Sequence, residues 1–359
     1  MERTIDDLLR RAVDLEASDI HLKVGSSPII RVQGDLRRLD DFESMSPTDT
    51  EEYAEAIFTP KASADFADNG VADFAYGKQD LGRFRVTAFR QRGSVSLVLR
   101  RVVSGSKNLA ELGLPRVMEK VAAETSGLIL ITGPSGSGKT TTVSSILDWI
   151  NTNRASAILT VEDPIEVLHP DKKSVVVQRE VGVDSPDMAS AVRSAMRHDV
   201  DVIMLSEIAD AETAKAAIDA AETGHLVVST MRTTDPAETV NRLVSMFAES
   251  QRPVVRSQLA HQLKAVVSQL LVETPNGSLV MACEVLTANE RAQEWVISGE
   301  EASTLVDIIK ESGFHGMQTF DQALLKHVVD RTVDIGVVLR HARNTHELRA
   351  KAMAAGIAI

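Results

Sequence analysis

The apolar positions follow one rhythm near the start of the chain and another beyond residue 104. Ile5, Leu8, Leu9, Ala12 and Val13 recur at the three- and four-residue spacing of one helix face. Short strand-like runs follow over 20–24 and 29–32, with Gly34 and Asp35 offering a turn. From 82 to 89, Phe84, Val86 and Ala88 alternate with Arg83, Arg85 and Thr87. From 94 to 103, Val95, Leu97 and Leu99 alternate with Ser96, Val98 and Arg100. Alternation of this kind buries one face of a sheet and leaves the other available. The first hundred or so residues therefore predict an antiparallel sheet with helices beside it.

Ser104-Gly105-Ser106-Lys107-Asn108 is small and polar, as a hinge or linker would be. After it, continuous apolar runs at 127–132, 157–161, 175–178, 202–205 and 225–231 are interleaved with helical stretches at 140–151, 188–197 and 211–222. Buried strands separated by helices imply βαβ units around a parallel sheet. Pro275-Asn276-Gly277, between two apolar runs, reads as a hairpin turn, and the pattern beyond 287 is helical. The expected organisation is an α/β chain: a first domain over 1–103, a linker over 104–109, and a second domain over 110–359.

Composition narrows the function classes. Hydrophobic residues are 43% and charged residues 25%, as in a soluble globular chain. No apolar run approaches the roughly 18 residues of a membrane span, and the first seven residues lack the layout of a secretory signal. Cys283 is the only cysteine, which excludes internal disulfides and multi-cysteine zinc sites. A net charge of −12 and an aromatic content of 4% argue against a nucleic-acid surface. The expectation is a cytosolic protein with no direct nucleic-acid partner.

Candidate chemistry begins at Gly133-Pro134-Ser135-Gly136-Ser137-Gly138-Lys139-Thr140, a complete G-x-x-x-x-G-K-[ST] motif. An apolar strand precedes it and an amphipathic helix follows, the context a phosphate loop needs. Glycines let backbone N–H groups converge on phosphate oxygens, and the helix N-terminus adds partial positive charge. Lys139 is placed to reach the β- and γ-phosphates, Thr140 to ligate Mg²⁺, and Thr141 to complete the cradle. ATP and Mg²⁺ are the expected ligands.

Such a site also needs carboxylates, and two strand ends offer them. Glu162 follows the run 157–161, and Glu207 closes the run 202–205 as a Walker B carboxylate would. Each could equally be a charge placed where a buried strand meets solvent. His225 opens a further apolar run; beside such a run a histidine is more often structural than catalytic. Arg83, Arg85, Arg90, Arg92, Arg100 and Arg101 crowd two neighbouring strands of an acidic protein. They read either as a solvated basic face or as guanidinium donors to a phosphate.

Together these segments resemble the type II/IV secretion and type IV pilus ATPases, nearest to the pilus retraction branch. The resemblance rests on Ala17-Ser18-Asp19-Ile20-His21-Leu22, Arg83-Phe84-Arg85-Val86, the phosphate loop, Val161-Glu162-Asp163-Pro164-Ile165-Glu166, Ala221-Glu222-Thr223-Gly224-His225-Leu226 and Gly316-Met317-Gln318-Thr319-Phe320-Asp321. It implies a PAS-like α+β N-terminal domain, then a RecA-like P-loop ATPase domain with a helical C-terminal extension. It implies that Glu207 activates water, that Glu162 assists Mg²⁺ and water, and that Glu162, Glu207 and Thr140 serve the metal. It also places His225 near the γ-phosphate and has Arg85 and Arg100 reach the nucleotide. The implied partners are five further copies in a hexamer, an inner-membrane pilus platform protein and a paralogous retraction ATPase. The implied location is the inner face of the cytoplasmic membrane. Length and a single cysteine favour retraction over pilus extension, whose ATPases carry an extra domain and a four-cysteine zinc module.

Departures from the family pattern are Val200 for proline, Ser206 for glycine, Ala209 for arginine and Arg232 for the second histidine of its box. The short retraction motif is also absent near 292–297. Hydrolysis remains expected because Lys139, Thr140, Glu162 and Glu207 stay. The alternatives are a nucleotide-binding accessory subunit of such a motor and a RecA-like nucleic-acid translocase.

Overall fold

The computed structural model describes residues 4–357, which divide into one unit ending at Ser104 and another beginning at Gly105. In the first, α1 (Ile5–Asp14) starts at Thr4, whose hydroxyl accepts the Asp7 N–H while the Asp7 carboxylate accepts the Thr4 N–H. Its face carries Leu8 and Leu9 into a core shared with Ile20, Phe84 and Leu97. Strands β1 (Asp19–Leu22), β2 (Ile29–Val32), β3 (Asp35–Arg38), β4 (Val71–Lys78), β5 (Gly82–Gln91) and β6 (Ser94–Ser104) lie in the order β3-β2-β1-β6-β5-β4. All of these pairings are antiparallel.

The alternating pattern is realised in the packing. Phe84, Val86, Ala88, Leu97 and Leu99 are fully buried, whereas Arg85 and Arg100, paired across β5 and β6, are exposed. Helices α2 (Pro47–Ile57) and α3 (Pro60–Asn69) are set by their starts: a Ser46 or Thr59 cap followed by proline in the first turn. Each buries only a few side chains, which is why hydrophobic periodicity alone does not announce them.

The second unit begins with α4 (Val117–Ala122) and then alternates. Strands β7 (Gly127–Thr132) and β8 (Ala157–Glu162) flank α5 (Lys139–Asn153); the two-residue β9 (Val167–Leu168) precedes β10 (Val175–Glu180). Helices α6 (Met188–Ala195), α7 (Ala211–Glu222), α8 (Pro236–Ser245) and α9 (Arg252–Gln262) are interleaved with β11 (Val202–Leu205), β12 (Leu226–Met231), β13 (Leu263–Glu273) and β14 (Leu279–Thr287). The sheet order is β10-β8-β11-β12-β7-β13-β14. Every pairing is parallel except the β13–β14 hairpin.

Every residue of β7, β11 and β12 is buried, so both faces of the sheet need cover. Ile129 and Ile131 of β7 join a core with Val143, Ile146 and Leu147 of α5. Leu128 and Leu130, pointing the other way, join one with Val192 of α6 and Ile218 of α7. The result is the parallel-sheet α/β architecture expected from the βαβ pattern, as the RecA-like domain implied by the resemblance requires. After β14 the chain is helical: α10 (Glu290–Ser298), α11 (Ala302–Glu311), α12 (Phe320–Val329), α13 (Ile335–His341) and α14 (Thr345–Ala354). Among the described residues no helix is long and apolar enough to cross a membrane.

Candidate nucleotide site

Because β7, β8, β11 and β12 are parallel, their carboxyl ends open on one edge of the sheet, the edge where ligands bind in such folds. The phosphate loop leaves β7 there. Gly133 sits at φ +142°, and a Cβ on it would lie 2.3 Å from the Gln269 carbonyl oxygen. Gly138, at φ +86°, is the left-handed residue from which α5 starts. An L side chain would be strained at either position. The Gln269 amide donates to the Ser137 carbonyl at 2.8 Å, so the neighbouring strand β13 props the loop from below. Lys139 Nζ donates to the carbonyls of Gly133 and Pro134, each at 2.8 Å. Burial pushes its ammonium below the usual lysine range, with the Glu207 charge opposing and the Arg232 charge adding to that shift.

A cleft of about 870 Å³ collects the loop and the acidic strand ends. Gly136, Lys139, Thr140, Thr141, Glu162 and Glu207 line it together. The two carboxylates differ sharply in setting. Glu162 is 4% exposed; its Oε1 accepts the Thr160 hydroxyl at 2.6 Å and the Gln178 amide at 2.9 Å. Burial nevertheless holds its carboxyl above the usual range, against those two donors and the Glu166 backbone N–H. Glu207 has a 28% exposed side chain, and Arg232 Nε lies 2.9 Å from its Oε1 and 3.1 Å from its Oε2. Such a pair of polar, differently solvated carboxylates suits one group to proton transfer and the other to positioning.

One of the sequence departures, Ser206, acquires a local account here. The Ser206 hydroxyl accepts the Asp163 N–H at 3.2 Å and so ties the two acidic segments together. Asp187 and Asp210 cap α6 and α7 by accepting the N–H groups of Ser190 and Thr213, which points both helix starts at the cleft.

The structure does not bring His225 into this cleft. His225 stands before β12, beside Gly127 at the start of β7, whereas the cleft opens at the other end. The intervening strand Leu226–Met231 spans roughly 17 Å. His225 Nδ1 donates to the Ala220 carbonyl at 3.0 Å, a bond that fixes the turn after α7. It is Arg232, at the opposite end of the same strand, that lines the cleft. Arg85 and Arg100 belong to the first unit, where Arg100 Nε donates to Asp19 Oδ1 at 2.7 Å.

Sequence reasoning passes over Gln178, Gln269, Asp187 and Asp210. A signal exists for Gln269: Ser268-Gln269 is a polar pair inside the apolar run of β13, and both are fully buried. Buried polar side chains of that kind are placed to satisfy something, here the phosphate loop.

No cluster of three or more His, Cys, Asp or Glu side chains among the described residues could hold a metal unaided. Mg²⁺ does not need one, since it takes one or two protein oxygens with phosphates and waters. Thr140 and Glu207, both lining the cleft, fit that requirement.

Comparison with known proteins agrees with this geometry. A model of the family described as "Type II/IV secretion system protein" matches residues 1–356. The chain is 38% identical over 323 residues to the type IV pilus retraction ATPase PilT of Pseudomonas aeruginosa, covering 89% of this chain and 92% of that one. It is 34% identical over 345 residues to the type IV pilus ATPase PilU of the same organism, covering 96% and 90%. A crystal structure of the pilus retraction motor PilT with bound ADP superposes with a TM-score of 0.88 at 36% identity, covering 97% of this chain and 100% of that one. From its phosphate loop to its helical tail, the chain belongs to the type II/IV secretion system protein family.

Proposed function

We propose that this chain hydrolyses Mg²⁺-bound ATP and uses the cycle to drive retraction of a type IV pilus. The observation that carries the reading is the convergence of Lys139, Thr140, Glu162 and Glu207 on one cleft at the carboxyl edge of a parallel sheet. Backbone N–H groups of 133–140 cradle the phosphates, and Lys139 exchanges two loop carbonyls for phosphate oxygens. Thr140 and Glu207 would hold Mg²⁺, with Glu162 behind them, and the ion would supply positive charge against the phosphate oxygens. Glu207 takes the proton of the attacking water. Glu162, locked by Thr160 and Gln178, orients its surroundings.

The relatives named as a retraction ATPase and as a twitching motility protein support the motor role. The working form in this reading is a homo-hexamer on the cytoplasmic side of the inner membrane. It acts on a platform protein, with a paralogous retraction ATPase as a second partner. Arg85 and Arg100 serve as transition-state cations. The test is phosphate release by purified protein against Glu207→Gln, together with pilus retraction in cells lacking the gene. Phosphate release no faster than in the variant would rule out the motor.

The hold of Arg232 on Glu207 favours a second reading, a nucleotide-binding accessory subunit. That reading expects retraction to be restored only alongside a competent retraction ATPase.

A further inference from the structure

Glu207 and Arg232 come from neighbouring parallel strands. Glu207 lies two residues past β11 and Arg232 directly after β12, so the register of the two strands brings the side chains to one mouth of the cleft. The contact is unusual in form. Arg232 Nε donates to Oε2 of the carboxylate at 3.1 Å and lies 2.9 Å from Oε1, an ion-pair contact beside a single hydrogen bond. The amino edge of the guanidinium bonds to none of the described residues, and the arginine side chain is 72% exposed. A planar, permanently charged fork therefore grips the carboxylate by one edge and offers the other to the cleft. Its charge is also felt at Lys139, the phosphate-loop cation.

We propose that Arg232 is the residue by which this site distinguishes ATP from ADP, resting on Glu207 until a terminal phosphate takes its free amino edge. The inference rests on the nucleotide reading of the cleft and adds a specificity-determining residue to it.

The chemistry favours exchange over a fixed bridge. An ion pair whose arginine is mostly in water is weak and opens readily. A phosphate presents charge and paired oxygens that match the guanidinium fork better than a single Nε–H bond does. ADP has no terminal phosphate in that position and leaves the arginine on Glu207. While it rests there, one carboxylate oxygen accepts from Nε, the other lies 2.9 Å from the same cation, and Glu207 is a poorer acceptor for a water proton. The γ-phosphate thus frees the base it needs, and Arg232 acts on the chemistry only by positioning Glu207.

Equilibrium binding tests this on the full chain with Mg²⁺, using a fluorescent non-hydrolysable ATP analogue and fluorescent ADP. Arg232→Ala should weaken the ATP analogue about tenfold, equivalent to about 1.4 kcal/mol, and leave ADP within about twofold. Unchanged ADP affinity also reports that the site is folded. Arg232→Lys, which keeps the charge and loses the fork, should recover only part of the loss. Glu207→Gln should tighten the ATP analogue by more in the wild-type background than in Arg232→Ala, because only the former has an arginine to release.

Equal losses for both nucleotides, or no loss for either, would overturn the proposal. So would equal tightening by Glu207→Gln in the two backgrounds. A wild-type protein that binds neither nucleotide would instead overturn the reading of the cleft itself, and this inference with it.

Discussion

The two ends of β12 carry the two residues a family comparison would single out, and the fold gives them different fates. His225, before the strand, is spent on a backbone carbonyl at the turn after α7. Arg232, after the strand, stands in the cleft and holds Glu207. Sequence separation is only seven residues, but a strand converts it into opposite edges of a sheet. Parallel topology then decides which edge matters, because only the carboxyl ends share space with the helix start that binds phosphate.

The sharpest way to break this comparison is at the carboxyl edge. Glu207→Gln should lower phosphate release by about 10²–10⁴-fold, the usual span for a lost general base, while nucleotide binding persists. A drop below tenfold would move the base elsewhere in the cleft. Arg85→Ala extends the comparison to the first unit: a transition-state cation should lose about 10³ in turnover with little change in ATP affinity. Unchanged turnover in both Arg85→Ala and Arg100→Ala would return them to a solvated face.

Glu162→Gln should cost about 10–100-fold in turnover, as removal of an orienting group does. It carries a second expectation. Burial raises the Glu162 carboxyl above its ordinary value of 4.5, so the folded state favours its protonated form. The stability this contributes is fully present below pH of about 4.5 and is lost as pH rises through the raised value. At neutral pH the non-ionising glutamine should therefore melt above the wild type. A variant with lower stability and unchanged turnover would make Glu162 structural. The smallest effect belongs at the other edge: His225→Ala should hold turnover within about twofold and cost about 1 kcal/mol, one hydrogen bond, in a denaturation series. A tenfold loss of turnover there would reinstate the histidine in the chemistry.

The legible part of the protein was written in short-range pattern. The alternation around Phe84 and Leu99, the continuous runs that became β7 and β11, and the glycines at 133 and 138 each impose a local geometry. Those geometries sufficed for an antiparallel unit, a parallel unit and a phosphate loop, and Lys139 and Thr140 came with them. Convergence was not local. Glu162, Glu207 and Arg232 meet because strand order places β8, β11 and β12 side by side, information held in tertiary packing and in no window of residues. The same packing brought Gln269 under Ser137, 132 positions away, and sent His225 to the far edge. Sequence determined which groups were available and the local backbone that bears them; only the assembled sheet decided which of them share a cleft, because burial and electrostatics act over distances in space that chain separation does not set.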